Sequence, residues 1–305
     1  MSRFLQQLVN GTVLGATIGL IALGYTMVYG IIQLINFAHG EIFMIGAFSG
    51  LYAYNHFIPE SFRENTALAL PIVMLAAMAG STLVAVLAER IAYRPLRNAP
   101  RLAPLITAIG LSMALQEVIR LYYPRGKDVQ SFPQLVSSQS IEVGGVFIPW
   151  TSVFTVATAV VLMLALEGFI NRTRLGKAMR ATSQDAETAR LMGIDTNKVI
   201  VLAFALGGAL AGVAGVIQGV RVQSIEFHMG FIAGIKAFSA AVLGGIGNIR
   251  GAVLGGFVIG IVEALATEYI PQGSAWKDVW AFVVLIIVLT LRPQGLLGER
   301  VAVRA

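Results

Sequence analysis

Apolar runs about as long as a bilayer is thick follow one another along nearly the whole chain, and this restricts its fold more than any other feature. A helix needs about 20 largely apolar residues to cross about 30 Å of hydrocarbon. Segments 8–32, 41–58, 67–88, 102–123, 150–170, 199–220, 231–247, 251–270 and 278–291 meet or approach that length. Charged residues make up 12% of the 305, against about 25% in soluble domains, so a water-soluble surface is out of reach. No polar block between the runs is large enough to fold alone. The expectation is therefore an all-α polytopic helical bundle, one membrane domain over 1–305. The stretch from Phe231 to Ile270 is too long for one span and is interrupted by Gly244-Gly245-Ile246-Gly247-Asn248-Ile249-Arg250-Gly251. It reads as two segments joined by a tight glycine turn or as a re-entrant pair, which gives eight or nine transmembrane segments.

Charge placement orients the bundle. Arg90, Arg94, Arg97 and Arg101 crowd one connection, and Arg172, Arg174, Lys177, Arg180, Arg190 and Lys198 crowd the segment 171–198; Arg292, Arg300 and Arg304 follow the last run. Lys and Arg accumulate in cytoplasmic loops, so these three regions and the C-terminus are expected inside. Segments 59–66 and 124–149 balance their bases with Glu60, Glu64, Asp128 and Glu142 and are expected outside. The net charge of +6 is thus a topology signal, and no nucleic acid is expected as a partner. If 33–40 lies at the inner side, the N-terminus is outside; alternatively residues 8–58 contain a broken helix that crosses three times. The first apolar run is preceded by Arg3 alone and lacks a small-x-small cleavage point, so no cleavable signal peptide is expected. Cysteine is absent, and His39, His56 and His228 are scattered, so no metal site is expected.

Within the apolar runs, three places carry polar chemistry. Asn36-Phe37-Ala38-His39-Gly40-Glu41 sets an amide, an imidazole and a carboxylate at a membrane boundary, where each costs free energy unless paired or hydrated. Beside a glycine they suit a helix break lining a translocation path or forming a gate; a hydrogen-bonded helix–helix turn is the plainer alternative. Lys236 and Glu263 lie on the two arms around the glycine run, so antiparallel packing puts them at similar depth, where they can pair. They are candidates for the path or for a structural ion pair. Glu117 and Arg120 can pair in the same manner on the fourth run.

The third place is the basic segment 171–198. Residues Lys177–Met192 read as a short amphipathic helix ended by Gly193, with Ile194 packing back. Its mixed charges, Arg180, Asp185, Glu187 and Arg190, favour docking in a groove of a protein partner over lying flat in headgroups. In the outer segment 124–149, alternation in Ser140–Phe147 around Gly144-Gly145 predicts a small β-hairpin, either a docking site or a cap on the bundle. No G-x-x-x-x-G-K-[ST] and no catalytic constellation occurs in the chain, so any ATP must be hydrolysed elsewhere, and the chain itself is not expected to be an enzyme.

Taken together, NFAHGE at 36–41, ERIAYRPLR at 89–97, GKAMRATSQDAETARLMGI at 176–194 and GIKAFSAAVLGGIGNIRGAVLGG at 234–256 resemble the membrane permeases of branched-chain amino acid ABC importers, their H-type subunit above all. Glu187-Thr188-Ala189 followed by Gly193 also looks like a Glu-Ala-Ala-x-x-x-Gly coupling loop, with Thr188 departing at the second position. The resemblance implies a type II-like permease of the bacterial inner membrane. It implies a second homologous permease, two cytoplasmic ATPase subunits that use ATP and Mg, and a periplasmic substrate-binding protein; no cofactor is bound by the chain itself. Residues 178–193 then form the coupling helix, with Arg180, Asp185, Glu187, Ala189, Leu191 and Gly193 as its site residues. The implied cargo is leucine, isoleucine and valine; relatives of the class carry urea, amides or other amino acids. An ion-coupled secondary transporter is disfavoured by the long basic loop and by the few intramembrane carboxylates.

Overall fold

The computed structural model describes residues 2–63, 65–97, 99–100 and 102–298. Of the charges used for orientation, Glu64, Arg101, Arg300 and Arg304 lie outside the described residues. Every expected apolar run is helical. The elements are α1 (Ser2–Ile32), α2 (His39–His56), a single turn α3 (Glu60–Arg63), α4 (Thr66–Ala88), α5 (Leu102–Tyr122), β1 (Gln130–Ser131), β2 (Ser140–Val143) and β3 (Val146–Pro149). They continue with α6 (Trp150–Arg172), α7 (Arg174–Gln184), α8 (Ala186–Leu191), α9 (Thr196–Val222), β4 (Ser224–Ile225), α10 (Met229–Gly244), α11 (Ile249–Tyr269) and α12 (Lys277–Leu291). Among the described residues, six helices are long and apolar enough to cross a membrane: α1, α4 with its extension to Leu96, α5, α6, α9 and α11. At 18, 16 and 15 residues, α2, α10 and α12 are shorter.

The centre of the bundle is built from close glycine contacts. Gly11, Gly15 and Gly19 put a smooth stripe of α1 against Gly256 and Gly260 of α11. A Cβ at Gly15 would lie 2.6 Å from the Phe257 Cα, and one at Gly256 2.6 Å from the Gly19 Cα. In lipid, where helices gain little by hiding apolar surface from one another, such backbone approach is what drives association. Gly208 and Gly212 likewise seat α9 on α4, beside Ala85 and Ala77. Around this core, α4, α5, α6 and α12 turn large apolar side chains outward, among them Leu83, Ile106, Met113, Val161 and Ile286, as lipid-facing helices do.

The two ends of the bundle separate as the charges predict. Gln6 near the start of α1 exchanges two hydrogen bonds with the backbone of Phe147, at 2.9 and 2.8 Å, so the N-terminal end of α1 lies beside segment 124–149. That segment contains the expected hairpin: β2 pairs with β3 in register Val143↔Val146, around Gly144 and Gly145 at φ +59° and +79°. Its other strand, β1, pairs with β4. At the opposite end, the connection Gln33–Ala38, the basic segments 89–97 and 171–198, and the turn between α10 and α11 gather together. Leu296 and Leu297 fold beneath that turn, donating to the carbonyls of Leu243 and Gly244 at 2.8 and 2.9 Å.

Residues Gly245–Asn248 make a tight turn between the two helices α10 and α11, so the Phe231–Ile270 stretch is two helices and not one. One expectation needs correction. Lys177–Met192 is not one helix: the backbone of Asp185 is extended, at φ −156°, and separates α7 from α8. Asp185 caps the new helix instead of continuing the old one, as short polar side chains do where they compete with the backbone ladder.

Candidate functional site

The break between α1 and α2 starts exposed at the basic end of the bundle and leads into its interior. α1 ends at Gln33, whose left-handed φ of +52° turns the chain, and Gln33–Asn36 is without helix. α2 then starts at His39 with no side-chain cap. Glu41, two residues further on, has no exposure to solvent and lies against the middle of the 21-residue α5: Oε1 accepts from Ser112 Oγ at 3.1 Å and from Gln116 Nε2 at 2.7 Å. α2 therefore begins near mid-depth and runs outward, reaching Tyr123 with Phe48, ring centroids 4.8 Å apart.

Glycines let the break close. Gly40 packs on Gly230 and Gly234 in the first turns of α10, where a Cβ would sit 2.9 Å from the Gly234 Cα. His39 lies on Gly24, its ring edge-to-face with Tyr25 at 4.8 Å. The N-terminal ends of α2 and α10 thus converge, and the Glu41 carboxylate lies between them, its Oε2 over Gly230. That oxygen is buried without a hydrogen-bond partner. Asn36, His39 and Glu41, singled out in the sequence, are brought to one region, all at most 2% exposed. They are packed against α1, α4, α5 and α10 in this structure. Sequence reasoning missed Ser112, Gln116 and Tyr93, which hold the break; Ser112 and Gln116 are polar side chains one helical turn apart within an apolar run, a signal that was available.

Lys236 and Glu263 do meet across the α10–α11 pair: Nζ lies 2.8 Å from both carboxylate oxygens. A third group completes the cluster, Asp278 in the first turn of α12, 2.5 Å from the same Nζ. They are a separate feature from the α1–α2 break, pinning three helices together. Glu117 and Arg120 also pair, at 2.7 Å.

At the basic end, α7 and α8 form a small projecting hairpin. Thr173 caps α7 by accepting from Gly176 N–H at 3.0 Å. Asp185 caps α8 by accepting from the N–H groups of Glu187 and Thr188 at 2.9 and 3.0 Å and from the Thr188 hydroxyl at 2.6 Å. The hydroxyl of Thr188 and these backbone donors hold the Asp185 carboxyl below the usual aspartate range. Gly193, at φ +84°, ends α8, and Ile194 N–H returns to Ala189 O at 3.0 Å, the six-residue closure of a Schellman motif. Ala189 faces the chain itself and is buried. Leu191 and Met192 are 87% and 79% exposed, bare apolar side chains on a highly charged hairpin. Glu187 and Arg190 lie on the same short helix α8, and Arg180 of α7 reaches Asn171 only at 3.4 Å.

The family model described as branched-chain amino acid transport system / permease component matches residues 7–289. The high-affinity branched-chain amino acid transport system permease protein BraD of Pseudomonas aeruginosa is 45% identical, over 97% of this chain and 96% of its own length. The corresponding protein LivH of Escherichia coli K12 is 43% identical over the same shares. A probable branched-chain amino acid transport permease protein LivH of Methanocaldococcus jannaschii is 29% identical over 92% of this chain and 88% of its own length. With the match extending from the first helix to the last, the chain belongs to the family of branched-chain amino acid transport permease components.

Proposed function

We propose that this chain is the membrane permease subunit of an ATP-driven importer for leucine, isoleucine and valine. The observation that carries the reading is the near full-length identity to BraD and LivH, whose names state that transport. In this account the protein is of the type II-like class and lies in the bacterial inner membrane with its C-terminus cytoplasmic. The six long helices cross fully, and α2, α10 and α12 bring the count to nine, the larger of the two numbers read from the sequence. A second homologous permease stands beside it, and a periplasmic substrate-binding protein docks at the end bearing the β2–β3 hairpin. Two ATPase subunits, which use ATP and Mg, engage the opposite end.

The projecting hairpin supports the ATPase contact: its capped, rigid α8 offers Leu191 and Met192 to a partner groove, where burying large apolar side chains contributes about 1.5–3 kcal/mol each. Alternating access follows if that contact moves the break at Asn36–Glu41, which is held by hydrogen bonds and glycine contacts that can be exchanged. Lys236 and Glu263 act as a brace beside the moving parts.

Cargo is tested by uptake of labelled leucine in cells with and without the gene, with isoleucine, valine, urea and short amides as competitors. Gene-dependent uptake suppressed by isoleucine and valine alone is expected. Gene-dependent uptake suppressed equally by urea or amides contradicts the assignment of cargo.

A further inference from the structure

Resting on the reading of α8 as the ATPase contact, we propose that Arg97, Glu89 and Tyr93 are positioning residues of transport, linking movement of α8 to the break between α1 and α2. The link is a continuous series of polar contacts. Arg190 of α8 donates from Nε to Thr196 Oγ1 at 2.8 Å, tying α8 to the first turn of α9. The next residue, Asn197, accepts from Arg97 Nη1 at 2.6 Å. The other terminal nitrogen of Arg97 pairs with Glu89, whose side chain is fully buried. Glu89 opens and Tyr93 closes a five-residue π-helical turn at the end of α4, where Arg94 N–H bonds the Glu89 carbonyl. Tyr93 then donates its hydroxyl to Asn36 Oδ1 at 2.7 Å. Three residues beyond Asn36, His39 begins α2. This series also accounts for the ERIAYRPLR segment, which the permease reading alone leaves without a task.

Three observations make the series a transmission element and not simple glue. A π turn is an unusual winding that costs helix regularity and concentrates at functional sites. Asn36 Nδ2, at the inner end of the series, and Glu89 Oε2, at its middle, are buried without partners, so each has a hydrogen bond to gain in another arrangement, as expected of a contact with two states. The surrounding packing of Val28, Ala88, Ala108, Ile200 and Phe204 is apolar and holds the Tyr93 ring, 5.4 Å from Phe204, whether or not its hydroxyl is bonded. The hydroxyl can therefore be removed without emptying the core.

The test uses the full transporter, permeases with ATPases and binding protein, in proteoliposomes, and reads recovered complex, ATP hydrolysed and leucine imported. Tyr93→Phe is expected to leave complex recovery and basal hydrolysis at wild-type levels and to raise ATP hydrolysed per leucine imported by about threefold to tenfold. Arg97→Met is expected to do the same, while Arg97→Lys, which can still pair with Glu89, restores most of the ratio. An unchanged ratio in Tyr93→Phe and Arg97→Met with the complex intact overturns the proposal. So does loss of the complex in Tyr93→Phe, which makes the tyrosine structural only. The ATPase contact is read separately in the same preparations: if Leu191→Asp leaves the complex intact, it is the docking reading that fails.

Discussion

Lys236 grips both oxygens of Glu263 at 2.8 Å from the neighbouring helix, and Asp278 meets the same ammonium from a third. In an apolar bundle, removing the cation strands a buried carboxylate, whereas removing the charges together does not. Lys236→Met is therefore expected to destabilise the detergent-solubilised protein by about 3–5 kcal/mol, read as a loss of thermal stability. The double change Lys236→Met with Glu263→Gln is expected to recover most of it, because only the half-exposed Asp278 then lacks its partner.

Glu41 presents a different balance. Its Oε1 serves two donors, Ser112 and Gln116, and a glutamine oxygen can accept the same bonds. Glu41→Gln is expected to keep the fold within about 1 kcal/mol, whereas Glu41→Ala leaves two donors unsatisfied and costs about 1–3 kcal/mol for each fully buried one. Comparing thermal unfolding of the two variants checks it; equal destabilisation contradicts the assigned bonds.

Close backbone contact predicts a sharp contrast between glycines. Gly15→Val forces a side chain into the α11 backbone, so folded protein recovered from membranes is expected to fall to a small fraction of wild type. Gly110 of α5 has nothing within 4 Å of where a Cβ would stand, so Gly110→Ala is expected to leave folded recovery unchanged.

On α8, Leu191→Asp is expected to weaken co-purification of the ATPase subunits by tenfold or more, about 1.4 kcal/mol or greater, with permease recovery unchanged. Ala189→Asp, by contrast, inserts a charge into the hairpin's own packing and is expected to lower permease stability as well. The Asp185 cap adds a pH dependence. Its carboxyl is held below the usual range, so its contribution is complete above about pH 3.9, the ordinary aspartate value, and fades as pH falls through the lowered one. Asp185→Asn, which still accepts a cap bond, is expected to retain ATPase binding better than Asp185→Ala.

Much of the fold was legible because bilayer crossing imposes length and apolarity directly on the sequence, and because arginines mark one side. The hairpin at Gly144-Gly145 and the stop at Gly193 were legible as backbone positions favouring glycine. The division at Asp185 was missed because good helix formers flank it, and a local cap outcompeted one more turn of ladder. The candidate site was legible only as chemistry. Asn36, His39 and Glu41 stand out among apolar residues, but their partners, Tyr93, Ser112 and Gln116, come from helices 57 to 75 residues away in sequence. Asp278, an acid at the head of an apolar run, reads in the sequence as an ordinary first-turn charge.

The most direct measurement is leucine transport by the reconstituted complex in proteoliposomes with no ion gradient, with ATP supplied on the side of the ATPase subunits. The account predicts accumulation that requires ATP, the binding protein and an intact Leu191. Accumulation without ATP, driven instead by an imposed proton or sodium gradient, contradicts it.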